Sequence, residues 1–129
     1  MDKKAKHRFS FRSRLRSFKY AFQGFAWLFR FEHNARIHLG ALILVIIAGF
    51  TFHISDIEWA LVIIVSAFVF TAEAFNSALE FLADEVSLEQ QDKIGKAKDL
   101  AATGVLIAAI AAVVLAAIIF IPKILLLIN

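Results

Sequence analysis

The 129-residue sequence has no cysteine, a single proline and few charged residues. Without cysteine, the chain can form no disulfide, use no thiolate nucleophile and bind no metal through a cysteine thiolate. The only proline, Pro122, lies close to the carboxyl end, so no proline interrupts the helical patterns before it. Charged residues make up 19% of the chain, whereas about 25% is usual in soluble domains. These shortages exclude a disulfide-stabilised fold and disfavour a soluble globular one.

Apolar residues, in contrast, make up 60% of the chain, and the mean hydropathy is +0.75. They are concentrated in three tracts, which we predict to be transmembrane helices over about residues 35–54, 57–84 and 96–122. Each tract approaches or exceeds the ~20 residues that span a bilayer as a helix. Helices are favoured over buried strands because lipid supplies no water to unpaired backbone groups. The sequence therefore predicts an all-α membrane protein with a single domain, residues 1–129.

The basic residues are distributed unevenly along the chain. Residues 1–36 contain ten of the fourteen Lys and Arg residues and only two acids. Three more lysines precede the third tract, whereas neither Lys nor Arg lies between the first and second tracts. Because basic segments stay in the cytoplasm, we expect a cytoplasmic amino terminus and an external turn at 53–57. A basic arm beside an acidic membrane body suggests contact with anionic headgroups or with a phosphate-bearing ligand.

An apolar stripe runs along the amino-terminal arm at helical spacing. Its members recur at alternating steps of four and three residues: Phe11, Leu15, Phe18, Phe22, Phe25 and Phe29. Basic side chains such as Arg12 and Arg16 occupy other faces of the same helix. This pattern is typical of an amphipathic helix on the membrane surface, which we predict over about residues 1–31. An organellar transit peptide, which is also basic, is the alternative.

The second tract continues into a segment rich in carboxylates, "TAEAFNSALEFLADE" at residues 71–85. At ~100° per residue, its polar side chains share one strip of a helix. The members of this polar strip are Glu73, Asn76, Ser77, Glu80 and Asp84. An ionised carboxylate at membrane depth costs at least ~2.5–3.5 kcal/mol, so these side chains need a cation, a base, water or a substrate as partner. Solvation at the helix end is an alternative for Asp84, but not for the deeper Glu73.

Two other polar clusters are predicted at the same membrane face. "FEHNARIH" places Glu32 at the start of the first tract, and "GKAKD" places Lys98 and Asp99 at the start of the third. Carboxylates near lysine suit a magnesium–phosphate ligand, because Mg²⁺ binds one or two carboxylates together with phosphate oxygens. The sequence contains no P-loop motif. The histidines at 33 and 38 have the wrong spacing for a zinc pair and no evident third ligand.

"EAFNSALEFLAD" resembles the E-x-x-N-[ST]-A-[IL]-E-x-x-x-D signature of the small prokaryotic diacylglycerol kinases. "GKAKD" resembles the downstream A-K-D element of that family, and "FEHNARIHLGA" resembles the start of its first span. The resemblance extends from about residue 11 to residue 121. It implies an amino-terminal surface helix and three transmembrane helices, assembled as a homotrimer in the bacterial cytoplasmic membrane. It also implies active sites between protomers at the cytoplasmic face, where Mg-ATP phosphorylates a lipid alcohol.

The resemblance further implies roles for individual residues. Glu73 is expected to be the general base on the lipid hydroxyl, with Asn76 positioning groups around it, while Glu32 and Glu80 hold Mg²⁺. The residues expected to contact ATP are Tyr20, Glu32, Glu80, Glu89, Gln90, Gln91, Lys98 and Asp99. The ungapped position of a family arginine is Ser13 here, so we assign the substrate contact to Arg14, with Arg12 as the alternative.

The lipid substrate and two other function classes stay open at this point. The E-x-N-x-[KR]-I-H pattern at Glu32–His38 resembles the branch that phosphorylates undecaprenol, with diacylglycerol as the alternative. An oligomeric ion or proton channel would explain carboxylates in the membrane, but not the clusters around Glu32 and Lys98. A non-catalytic membrane adaptor would explain the Phe-rich arm, but not the acids of the second tract. No nucleic-acid partner is predicted.

Overall fold

A computed structural model describes residues 10–86 and 92–128 of the chain. Over these ranges the ordered elements are the helices α1 (Phe11–Phe31), α2 (His33–Thr51), α3 (Asp56–Val86) and α4 (Asp92–Ile128). The described ranges contain no β-strand, so the all-α prediction is confirmed. Three residues predicted to lie near ATP, Glu89, Gln90 and Gln91, fall outside the described residues.

Three of the helices, α2, α3 and α4, are long and apolar enough to cross a membrane. This agrees with the three predicted spans. Helix α3 has 31 residues and a length of roughly 46 Å, which exceeds the ~30 Å hydrocarbon core of a bilayer. Helix α4 begins before and ends after the predicted third span, because it starts at Asp92 and continues through Pro122 to Ile128.

A single residue, Glu32, separates α1 from α2. Its backbone is extended, with φ −91° and ψ 117°, and its N–H donates to the Leu28 carbonyl at the end of α1. One extended residue between two helices lets the chain change direction, so α1 does not simply prolong the first span. Glu32 therefore lies at the corner where the amino-terminal arm meets the membrane-spanning helices.

Helix α1 makes few contacts with the other helices. Leu28 is its only buried residue, and the Phe29 ring meets Phe70 of α3 edge-on, with ring centroids 5.5 Å apart. The apolar stripe along the rest of the helix is exposed. A helix with an uncovered apolar face suits a membrane surface, and its orientation there stays a prediction.

A tight turn joins α2 to α3. His53 adopts a left-handed backbone conformation, with φ 49°, and the next residue, Ile54, donates its N–H to the Gly49 carbonyl at 3.1 Å. This arrangement ends a helix by satisfying its last carbonyl groups. Gly49 is required by packing, because a Cβ at this position would lie 2.6 Å from the Trp59 ring.

The apolar core lies at the end of the bundle that carries this turn, which we call the turn end. Its fully buried members are Ile54, Val62, Ile119 and Phe120, contributed by the turn, α3 and α4. Towards the opposite end, near Glu32, the buried residues of α3 become polar. Many apolar side chains along the spans remain exposed in the isolated chain, as expected for surfaces that contact lipid or another protein.

Candidate active site

The polar strip of α3 faces the interior of the helix bundle. Among the described residues, the buried polar side chains are Glu73, Asn76 and Ser77, with exposures of 1%, 8% and 5%. They share a face with the buried Val62 and Val69 of the same helix, because residues three, four and seven apart lie on one side of a helix. The periodicity that buries the apolar half of α3 thus also buries these polar groups.

A histidine from α2 contacts the buried carboxylate. The Nε2 atom of His38 lies 3.1 Å from Oε1 of Glu73. The distance allows an ion pair when the imidazole is protonated. This pair is the close contact of a nitrogen with Glu73 Oε1 in the part of the chain that the structure describes.

Sequence reasoning did not pair His38 with Glu73. The position of His38 was the signal that could have indicated this contact. His38 lies beyond the first turn of an otherwise apolar span, where an ionisable side chain usually has a partner. The spacing between His38 and His33 was tested only for a metal site. Such a test cannot reveal a partner on another helix.

Asn76 connects the buried part of the strip to Glu80. Its Nδ2 donates a hydrogen bond to Glu80 Oε1 at 2.9 Å, which fixes the Glu80 carboxylate one helical turn away. Over residues 10–86 and 92–128, Asn76 Oδ1 and Ser77 Oγ are buried without a hydrogen-bond partner. A buried polar atom left unpaired costs about 1–3 kcal/mol, so these atoms mark a place where a ligand, water, ion or second chain is expected to bind.

The predicted carboxylates lie close enough to act on one another. The charges of Glu32 and Glu80 both act on the Glu73 carboxylate, and the charge of Glu80 also acts on Lys98 of α4. The fold therefore brings together the corner before α2, the polar strip of α3 and the start of α4. Like charges repel one another more strongly in a low-dielectric interior than in water, so a group of carboxylates around a buried one favours binding of a cation.

Lys98 has a partner within the chain. Its Nζ donates to Asp84 Oδ1 at 3.0 Å, which ties the start of α4 to the end of α3. Asp84 is two-thirds exposed, so it is neither buried like Glu73 nor merely a solvated helix end. An ammonium group carries three N–H donors, and Lys98 can therefore bind a phosphate while it keeps this contact.

The remaining predicted residues lie outside the buried part of the strip. Tyr20 and Arg14 have exposed side chains on α1, and the Asp99 side chain is exposed in the first turns of α4. The Asp99 carbonyl accepts a hydrogen bond from Thr103 Oγ1 within the same helix. Any contact of these side chains with ATP or lipid thus stays a prediction.

Two grooves lie along α3. The larger, with a volume of about 790 Å³, lies between α1 and α3 and has mostly apolar walls, in which Glu32, Thr71 and Ser77 are the polar residues. The second, of about 310 Å³, lies between α2, α3 and α4, and His38 forms part of its wall. Volumes of this size accommodate small-molecule ligands, and the apolar walls suit hydrocarbon chains.

The carboxylates are suitable ligands for magnesium, although they do not form a complete metal site. Within the described ranges, no group of three or more His, Asp or Glu side chains is arranged to hold a metal ion. Protein sites for Mg²⁺ commonly supply only one or two carboxylates, and phosphate oxygens and water complete the octahedron. Glu32 and Glu80 offer hard oxygen ligands of this kind, and magnesium binding stays a prediction.

Comparison with known proteins agrees with the resemblance seen in the motifs. A model of the prokaryotic diacylglycerol kinase family matches residues 19–120. A diacylglycerol kinase from Synechocystis sp. is 36% identical over 110 residues, which cover 84% of this chain and 63% of that relative. An undecaprenol kinase from Bacillus subtilis is 32% identical over 123 residues, which cover 95% of this chain and 99% of that relative.

The chain thus spans less than two thirds of the Synechocystis protein but almost all of the Bacillus protein. The family match reaches from the middle of α1 into α4 and includes Glu32, the polar strip and Lys98. The chain therefore belongs to the prokaryotic diacylglycerol kinase family, a family of lipid kinases.

Proposed function

We propose that this protein transfers the γ-phosphoryl group of ATP to the hydroxyl of a membrane lipid alcohol at the cytoplasmic face of the bacterial inner membrane. The observation that carries this proposal is the burial of Glu73. Its carboxylate is 1% exposed, and the charges of Glu32 and Glu80 act on it. A chain that only needed anchoring in the membrane would gain nothing from these groups, whereas phosphoryl transfer uses them.

Glu73 is the proposed general base. It takes the proton of the lipid hydroxyl, whose oxygen forms a bond to the γ-phosphorus while the bond to the β-phosphate oxygen breaks and ADP leaves. Its Oε1 atom lies 3.1 Å from His38 Nε2, and an ionised carboxylate has about four lone-pair sites, so it retains capacity to accept a proton. Phosphoryl transfer otherwise requires mainly positioning and charge neutralisation.

Glu32 and Glu80 are the proposed ligands of Mg²⁺. The ion, when bound, would neutralise charge on the phosphates of ATP. Asn76 contributes by holding Glu80 Oε1 through its amide N–H, at 2.9 Å. In this arrangement Asn76 positions a metal ligand as well as the surroundings of Glu73.

The proposed nucleotide contacts lie around the start of α4 and on α1. Lys98, linked to Asp84, supplies positive charge for the phosphates. Asp99 and Tyr20 complete the contacts, together with the sequence positions Glu89, Gln90 and Gln91. The proximity of Lys98 to Glu80 supports this assignment, because it places the lysine beside a proposed metal ligand.

The lipid chain is proposed to occupy the groove between α1 and α3. Its walls are apolar except at Glu32, Thr71 and Ser77, which suits a hydrocarbon chain with a polar head, and Arg14 is the proposed headgroup contact. Undecaprenol is the preferred substrate because the Glu32–His38 pattern resembles that branch of the family, and diacylglycerol is the alternative. The homotrimer is also a proposal, supported by the exposed apolar surface and the unpaired buried atoms of the isolated chain.

A transfer assay with two lipids tests the proposal. The purified protein is incubated with γ-labelled ATP, Mg²⁺ and either undecaprenol or diacylglycerol in mixed micelles. We expect labelled lipid phosphate with at least one lipid, and more of it with undecaprenol. Label in neither lipid, from a folded protein, contradicts the kinase assignment, and ATP-independent ion flux in proteoliposomes would then favour the channel alternative.

A further inference from the structure

The contact between His38 and Glu73 has no part in the roles proposed above. His38 is the last ionisable residue along α2, and only apolar residues, glycine and one terminal threonine follow it in that helix. Its side chain is 22% exposed and faces a carboxylate that is 1% exposed. A histidine at this depth is costly unless it has a partner or a task.

The surroundings of Glu73 indicate what that task is. The other charges that act on this carboxylate, those of Glu32 and Glu80, are negative. His38 is the group acting on Glu73 that can carry a positive charge. Without it, a buried carboxylate would face two like charges and would be pushed away from them. The imidazole can thus both offset the repulsion and keep the carboxylate in place.

We propose that His38 is the positioning residue of the catalytic base, holding the Glu73 carboxylate through the contact between Nε2 and Oε1. This inference rests on the proposed role of Glu73 as general base and adds a residue to which no role was assigned. His38 extends from α2 and Glu73 from α3, so the contact fixes the base relative to the helix that follows Glu32. A base displaced from its proton by about 1 Å can lose roughly 100-fold in rate.

Two substitutions separate positioning from mere space filling. His38→Phe keeps a ring of similar size but removes the nitrogen, whereas His38→Gln keeps an N–H group at about the same reach. The matched control is His33→Phe, which changes an exposed histidine on the same helix. For each variant, kcat, the KM for ATP and the Tm in detergent are measured with undecaprenol as acceptor.

The expected effect is on kcat. His38→Phe should lower kcat by about 10–100-fold, the usual loss when a supporting group is removed from a site. The KM for ATP should stay close to the wild-type value, because His38 contacts the base and is not among the proposed nucleotide contacts. His38→Gln should recover most of the lost kcat, and His33→Phe should match the wild type.

Other outcomes overturn the inference, and they differ from failure of the proposed function. Wild-type kcat in His38→Phe, with an inactive Glu73→Gln, shows that the base needs no help from His38. Equal losses in His38→Phe and His38→Gln together with a lower Tm show that the role is structural only. Wild-type activity in Glu73→Gln instead removes the base assignment itself. If His38→Phe does not fold, the shorter His38→Asn replaces it, and we expect low kcat there beside a functional His38→Gln.

Discussion

The two ends of α3 each carry a glutamate, but the two carboxylates differ in the partners that the chain provides for them. At the turn end, Glu58 uses both carboxylate oxygens: Oε2 accepts from the N–H and hydroxyl of Ser55 at 2.7 and 2.9 Å, and Oε1 lies 3.2 Å from Lys123 Nζ. At the other end, which we call the site end, Glu73 is more deeply buried, and its Oε1 lies 3.1 Å from His38 Nε2, a group that is charged only when protonated.

This difference separates a structural carboxylate from a functional one. The Ser55–Glu58 pair is a capping box, which satisfies free N–H groups at the start of a helix, and the chain provides all the partners it needs. At the site end, Glu73 Oε1 contacts the imidazole of His38, and Asn76 Oδ1 and Ser77 Oγ are left without a hydrogen-bond partner among the described residues. Because such atoms lower stability, they are expected where a substrate, an ion or a second chain supplies the missing partners.

The largest effect is expected for Glu73→Gln. The amide has nearly the same shape but cannot take the hydroxyl proton, so activity should fall by about 10²–10⁴-fold, the usual contribution of a general base. The Tm should not fall, because the substitution removes a buried charge. Labelled-ATP transfer to undecaprenol measures the loss. The control is Glu58→Gln, at the turn end of the same helix, which should retain activity. Loss of activity in both variants would remove the contrast between the two ends.

A smaller effect on activity is expected for Glu80→Gln. Replacing one of two proposed carboxylate ligands should raise the Mg²⁺ concentration needed for half-maximal activity by roughly 10–100-fold. A Mg²⁺ titration at saturating ATP measures the shift, and Glu85→Gln, an exposed glutamate beyond the strip, is the control. An unchanged magnesium requirement would exclude Glu80 as a metal ligand.

The features that sequence alone could predict are those set by local periodicity. The number of spans follows from the length of the apolar tracts, and the strip of Glu73, Asn76 and Glu80 follows from the helical repeat. The extended corner at Glu32 and the exact ends of α4 were not predicted, because they depend on backbone conformation at single residues. The ion pair between Lys123 and Glu58 was not predicted either, because it joins two different helices.

Contacts between helices lie beyond such reasoning. His38 meets Glu73 only because α2 and α3 pack at a particular rotation and axial offset, which neither helix encodes by itself. The same limit applies to the contact between Lys98 and Asp84, which needed the relative placement of α3 and α4. The family motif implies roles for Glu73, Glu32 and Glu80, but it implies no role for His38.

A pair of serines tests whether unpaired atoms distinguish the site end. Ser77→Ala removes a buried hydroxyl without a partner among the described residues and should raise the free energy of unfolding by up to about 1 kcal/mol. Ser55→Ala removes the cap of α3 and should lower the free energy of unfolding by about 1 kcal/mol. Denaturant unfolding in detergent micelles measures both values. If Ser77→Ala also destabilises the protein, Ser77 Oγ has a partner in the assembled protein, and the contrast with the turn end is weaker.

The smallest effect is expected for Lys123→Met at the turn end. The ion pair is about one-quarter exposed on each side, and Glu58 keeps both bonds to Ser55 when the lysine is removed. The free energy of unfolding should therefore fall by no more than about 1 kcal/mol. Kinase activity and magnesium dependence should not change. Because both partners act through one contact, Lys123→Met should cost no additional stability in the Glu58→Gln background. A loss of activity without a loss of stability would instead show that the turn end affects catalysis, and the division between a structural and a functional end would fail.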